Sequence, residues 1–313
     1  SKRDLSFIYF NRKNYLESSI LLSSILDHNI RNDEFHFKLA YSYFILEKYE
    51  EAKLNFLKVN SKNKNYKILS RYYYAHICYI QKLYNKSLLS FFMLNTEPQF
   101  SKIIPYYITQ IYFELDNYSE LVKYAVPVLN NVIKSREEEL NRMIAESYYQ
   151  LSDYENAEIY FKNYLDISKS HEMIDYIQFG QINVFLKDYA QAIDYLEQVV
   201  DVSDSLLQFS SYYLGKSYLE SNKKKFALNA FKKASEINND LDLKEESLYN
   251  YFKLAYELDL PYINLTYVIE ELDRFNLTKY RSEVKRLMIN MFQITNQYQQ
   301  AFDFLKHNHL PKK

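Results

Sequence analysis

The sequence predicts an all-α solenoid of paired antiparallel helices. Three observations carry this reading: a period close to 35 residues along the whole chain, small and large residues at fixed places within it, and scarce turn-forming residues. Only 2 glycines and 5 prolines occur among 313 residues, too few for a fold built on hairpins. Apolar residues make up 48% and aromatics 18%, so the chain can bury a core and is not a disordered polypeptide. The aromatics are 34 Tyr and 21 Phe with no Trp. Many large rings must therefore be buried with hydroxyl tips near water or a partner.

The period is set by tyrosines at Tyr15, Tyr49, Tyr84, Tyr118, Tyr154, Tyr189, Tyr262 and Tyr298, with Lys224 in the one gap. Successive steps are 34, 35, 34, 36, 35, 35, 38 and 36 residues. Chance would place about one tyrosine at nine such positions, so the repeat is real. Three residues on come Ser18, Ala52, Ser87, Leu121, Ala157, Ala192, Ala227, Leu265 and Ala301, seven of them small. Seven residues on come Leu22, Phe56, Phe91, Ala125, Phe161, Leu196, Phe231, Ile269 and Leu305. Nine residues before the tyrosine sits a second small site: Ser6, Ala40, Ala75, Thr109, Ala145, Gly180 and Gly215. Ala255 fits it in the eighth repeat if the turn there is two residues shorter.

Apolar residues three and four apart mark one face of a helix, so each period is a helix pair, and the small sites mark where two backbones come closest. Gly180 and Gly215 lie 35 apart at one such site; they are packing residues, not a phosphate cradle. Ser135 with Glu138 reads as a capping box opening the fifth repeat. Pro127 should kink the helix it interrupts, and Pro261 shortens the eighth turn.

Charge excludes several functions. With 39 basic and 40 acidic residues the net charge is −1, unlike a nucleic-acid binder. Lys223, Lys224, Lys225, Lys232 and Lys233 read as the solvated face of one helix. No apolar run approaches the roughly 20 residues that span a bilayer. Cys78, in aromatic surroundings, is expected to be an inert core thiol. His307 and His309 lack further ligands, and Glu137, Glu138 and Glu139 suit a helix dipole better than acid–base chemistry. No catalytic motif is present, so the expectation is no enzyme activity, no cofactor and no metal site.

The segments "FKLAYSYFILEKYEEAKLNFLKV" (37–59) and "YYLGKSYLESNKKKFALNAFKKA" (212–234) resemble the tetratricopeptide repeat, with its small residue at position 8, aromatic at 11, Tyr at 17, Ala at 20 and Phe at 24. The resemblance runs through about nine units: 1–32, 33–67, 68–101, 102–137, 138–172, 173–207, 208–244, 245–280 and 281–313. It departs from the family in having no Trp at position 4. It implies one right-handed superhelical solenoid over 1–313. The start at Ser1 and the lack of a polar capping helix after Leu310–Lys313 lead us to expect part of a longer chain. "YYYAHICYIQKLYNKSLLSFF", "PYYITQIYFELDNY" and "LYNYFKLAYELDL" are similar to segments of long exported repeat proteins of Bacteroidetes-type bacteria. That implies a periplasmic or envelope setting, with the cytoplasm as the alternative.

In that family the first helices line a concave groove. The outward positions fall here on Phe37, Tyr41 and Phe44; Tyr72, His76 and Tyr79; Tyr106, Gln110 and Phe113; then Tyr149 and Tyr212. The resemblance thus implies an aromatic groove with few charges, without the Lys and Asn of members that clamp a C-terminal carboxylate. The expected partner is a protein or extended peptide, with no nucleic acid and no membrane insertion; the oligomeric state is left open. A scaffold or adaptor is the leading function. A peptide-sensing regulator and a substrate-recruiting segment of a larger enzyme are the alternatives.

Overall fold

The computed structural model describes residues 1–26, 32–60, 64–260 and 265–294. Tyr262, Tyr298, Ala301, Leu305, His28, His307 and His309 lie outside these residues. Among the described residues every regular element is helical: seventeen α-helices and two 3-10 turns, with no strand.

The helices alternate as the period requires. First helices are α1 (Lys2–Asn11), α3 (Asp33–Ile45), α5 (Lys64–Ile80), α7 (Ile104–Glu114), α9 (Glu137–Gln150), α11 (Met173–Phe185), α13 (Asp204–Glu220), α15 (Leu241–Glu257) and α17 (Arg281–Ile294). Second helices are α2 (Tyr15–Leu26), α4 (Tyr49–Lys58), α6 (Tyr84–Phe92), α8 (Tyr118–Val128), α10 (Tyr154–Ile167), α12 (Tyr189–Leu196), α14 (Lys224–Ser235) and α16 (Leu265–Arg274). Each periodic tyrosine from Tyr15 to Tyr189, and Lys224 in the gap, opens its second helix.

The turn before it is built the same way each time. Lys13, Glu47, Lys82, Asp116, Ser152, Lys187, Asn222 and Asp259 all have positive φ, between 50° and 63°. In α5, Lys82 N–H donates to Tyr79 O at 2.9 Å and Leu83 N–H to Cys78 O at 2.8 Å. This is a Schellman ending, which normally takes glycine. Here eight residues with side chains occupy it, which is why the sequence contains so little glycine.

The chain forms two compact units, Ser1–Asp153 and Tyr154–Lys313. Within the first, α3 packs on α4, α4 on α5, and α3 also on α5 directly; α7 packs likewise on α9. Ala40, Ala52, Phe56 and Phe37 share one core cluster, and Ala75, Phe91, Ile104 and Ile108 another. Ser18 Oγ donates to Ser6 O at 3.1 Å and Ser87 Oγ to Ala75 O at 2.8 Å. Serine thus serves at a small site because the neighbouring backbone satisfies its hydroxyl. The second unit repeats the scheme, α11 on α12 and α13 on α14 and α15.

Three expectations are corrected. Ser135 does not cap the fifth repeat: a 3-10 turn at Lys134–Arg136 delays the helix to Glu137, and its N-cap, Arg136, makes no side-chain capping bond. Capping boxes form instead at Ser1 with Asp4 and at Glu172 with Asp175. In the eighth repeat the positive-φ residue is Asp259, seven residues beyond Phe252, so Phe252 and not Ala255 holds the small site. The residue sixteen further on is Val268, buried with Phe252 in one cluster; large and small have changed places. Pro127 leaves α8 only one more residue before the helix passes into a 3-10 turn at Leu129–Asn131, so it marks the end of the helix.

Candidate functional site

Ten of the eleven groove residues expected from the sequence lie in the first unit, on α3, α5, α7 and α9, and Tyr212 lies on α13 in the second. Phe37, Tyr41 and Phe44 occur at i, i+4 and i+7 of α3, and Tyr72, His76 and Tyr79 repeat this on α5, so each set shares one helical face. The rings join into a continuous cluster. Tyr41 meets Phe10 and Tyr15 at 5.7 Å between centroids and Tyr73 at 5.1 Å. Phe44 meets Tyr73 at 5.3 Å and His76 at 5.9 Å. Tyr107 closes edge-on against His76 at 5.3 Å and Tyr79 at 5.4 Å. Tyr72 stacks on Phe100 at 4.5 Å.

The residues differ in exposure. Phe37 is 9% exposed and Tyr106 5%; both are core residues that support the face from beneath. Tyr41, Phe44, Tyr72, His76, Tyr79, Gln110, Phe113 and Tyr149 are half-buried. Phe113 packs on Tyr118 at 6.2 Å. Tyr212, in the second unit, is buried, with its hydroxyl donating to Glu246 Oε1 at 2.6 Å.

Polar groups finish the face on the α7 side. Tyr79 Oη donates to Gln110 Oε1 at 2.7 Å, and Gln110 Nε2 donates to Glu139 Oε1 at 2.9 Å and Tyr106 Oη at 2.7 Å. Tyr106 Oη donates to Glu139 Oε2 at 2.6 Å. Arg136 Nη1 donates to Tyr106 Oη at 3.3 Å, with the guanidinium 4.3 Å from the Tyr106 ring centroid. Glu139 therefore does more than complement the α9 dipole: it holds two groups of α7. Burial pushes Tyr73 and Tyr79 up to about 12, with Tyr41 next among the causes at Tyr73 and Glu114 at Tyr79. Burial lowers the His76 pKa, and its Nδ1 is buried with no hydrogen-bond partner. Tyr73, Tyr79 and His76 are accordingly neutral groups near pH 7.

Tyr73, Tyr107, Arg136 and Glu139 were not among the groove residues expected from the sequence. Tyr73 and Tyr107 were detectable, since they lie 34 residues apart at one repeat position. The Glu139 contacts were not, because they depend on how α7 and α9 lie together. Among the described residues no group of three or more His, Cys, Asp or Glu could hold a metal ion, and no helix is long and apolar enough to cross a membrane. Cys78 is fully buried.

Paired antiparallel helices in a 35-residue period, with a small site facing a large one in most repeats, define an α-helical repeat array. The chain carries tetratricopeptide repeats: the family model of that description matches residues 141–171 and 176–205. Among solved structures it is similar to the C-terminal part of a tetratricopeptide-repeat protein from Cytophaga hutchinsonii, at 17% identity and a TM-score of 0.54, covering 78% of this chain and 98% of that one. It is also similar to a chain in the structure of Naa15/Naa10 bound to HypK-THB, at 15% identity and a TM-score of 0.52, covering 92% of this chain and 44% of that one. A tetratricopeptide-repeat protein from Parabacteroides merdae aligns at 18% identity with a TM-score of 0.43, over 80% of this chain and 97% of that one. These likenesses are of fold. No curated protein sequence matches the chain. A tetratricopeptide-repeat fold is consistent with a protein-interaction scaffold.

Proposed function

We propose that the chain is a non-catalytic scaffold that holds an extended, largely uncharged segment of a protein partner against the aromatic face of α3, α5 and α7. The observation that carries this is the run of half-buried rings from Tyr41 through Phe44 and His76 to Tyr79. Tyrosine suits such a face because it joins large area to a polar tip at low entropic cost. Glu139 is held at its edge by Tyr106 and Gln110 and paired with Arg136 at 3.4 Å, so this edge adds little net charge. A bacterial envelope assembly is the setting we favour, resting on the resemblance to exported repeat proteins of Bacteroidetes-type bacteria.

The test is Tyr41→Ala with Tyr79→Ala, compared with the unaltered chain for capture of the native partner after circular dichroism and thermal melting establish retained folding. Two central rings should each contribute roughly 2 kcal/mol, and raised salt should change affinity little. A folded double variant that binds its partner undiminished would refute the site. Recovery of the protein solely from cytoplasmic fractions would refute the envelope setting alone.

A further inference from the structure

The exposed side of two second helices in the first unit is apolar. Leu54 and Leu57 on α4, with Leu89, Phe92 and Met93 on α6, are between 40% and 63% exposed. Leu54 and Leu89 stand five residues after the periodic tyrosines Tyr49 and Tyr84, and Leu57 and Phe92 stand eight after them. Later repeats put mostly charged or polar residues at these places: Lys123, Asp194 and Asn229 at the first, Lys162, Glu197 and Lys232 at the second. The repeat itself therefore does not call for apolar side chains there. Both helices pack on α5, and the Phe92 ring is held edge-on by Tyr124 at 5.7 Å. Single exposed apolar residues are ordinary, whereas large side chains grouped on neighbouring helices mark a contact surface.

The charges beside the leucines select what covers them. Glu51 and Lys58 flank Leu54 at i−3 and i+4, on the same exposed face of α4. Among the described residues neither forms an ion pair, while Glu50 beside them is held by Lys53 at 2.9 Å. Seven helical residues separate them by about 10 Å along the axis, too far to pair with each other. A helix with an acid and a base at opposite ends of an apolar face complements its own antiparallel image. Glu51 of each copy then meets Lys58 of the other, with Leu54 and Leu57 packed between. The same two-fold axis lays α6 on α6, where Lys86 faces Met93 and no like charges meet. Parallel pairing would set Glu51 against Glu51 and Lys58 against Lys58.

We propose that α4 and α6 form an antiparallel, two-fold interface between two copies of this chain. Such an interface uses one self-complementary patch on both copies. Two short helices per copy cover less than the roughly 800 Å² per partner of a standard complex, so the dimer is reversible. It involves none of the residues of the aromatic face.

Sedimentation equilibrium of the full chain from about 1 to 200 µM tests this, a dimer being expected within that range. Leu54→Ser with Leu57→Ser should weaken self-association at least about tenfold through lost apolar burial. Circular dichroism should not change, because both side chains are exposed. Glu51→Lys and Lys58→Glu, each alone, should weaken it by a similar factor, since each sets like charges together twice across the axis. Mixed in equal amounts, the two charge variants should associate about as tightly as the unaltered chain, each presenting the charges the other needs. A chain that stays monomeric throughout, an unaffected serine or charge variant, or charge variants that remain weak on mixing overturns the proposal.

Discussion

Replacing Gly180 by alanine tests whether the small sites are where the helices approach most closely. A Cβ on Gly180 would lie 2.5 Å from Leu196 Cγ, 2.8 Å from Cδ2 and 3.3 Å from Cδ1. Carbon contacts are comfortable at about 3.5–4.0 Å, and Leu196 is only 2% exposed, so α11 and α12 must separate or the leucine must leave its rotamer. Alanine at an unhindered helix position gains about 1 kcal/mol over glycine, whereas overpacking costs about 1–3 kcal/mol. The substitution should therefore destabilise by up to about 2 kcal/mol, the reverse of the ordinary helix effect. Leu196→Ala alone should cost about 2–5 kcal/mol through the cavity it leaves. The fourth repeat already holds the opposite sizes at these positions, Thr109 and Ala125, both fully buried. Gly180→Thr combined with Leu196→Ala copies that pair. The double variant should be more stable than the sum of Gly180→Thr and Leu196→Ala, each measured singly, by about 1–3 kcal/mol. Urea unfolding followed by helical circular dichroism measures this, with equal slopes as the check on cooperativity. If the single effects add to within about 0.5 kcal/mol, the two side chains do not compete for one space and the reasoning fails.

Lys82→Gly should stabilise by roughly 0.5–1 kcal/mol, because Lys82 has φ of 57° and glycine adopts that conformation without strain; a lower unfolding midpoint would contradict the assignment of the turn. Lys244 is fully buried, with Nζ 2.6 Å from Glu271 Oε2 and 2.7 Å from Ser235 O. Glu271→Ala should thus cost about 3–5 kcal/mol by leaving a buried charge unpaired, while Lys244→Met with Glu271→Leu should recover most of it; thermal unfolding of the three proteins decides. His76 has a folded pKa below its ordinary 6.5, so below pH 6.5 the unfolded chain takes up the proton first and stability falls as pH falls. His76→Phe should flatten stability between neutral pH and pH 5, measured by urea midpoints; an unchanged slope would show that His76 is not the group responsible.

The 35-residue period, the helix pairs and the residues at their closest contact were all readable from the sequence, because neighbouring helices impose local size limits that recur once per repeat. The start of each second helix from Tyr15 to Tyr189 followed from the same pattern. Lys82 and its equivalents were not recognised, since a left-handed turn normally announces itself by glycine and here does not. Ala255 misled for a related reason: composition favoured it, yet the helix ends at a place that puts Phe252 opposite Val268.

Along the aromatic face, the resemblance to the repeat family put eleven residues on the first helices. Only the tertiary structure decided that Phe37 and Tyr106 are core while Tyr41, Phe44 and Tyr79 remain half-open. Periodicity assigns a residue to a face of its own helix; how deeply the next helix covers that face depends on packing between repeats. The same holds for Glu139: its partners Tyr106 and Gln110 come from a separate helix, so no spacing within one helix could have named them.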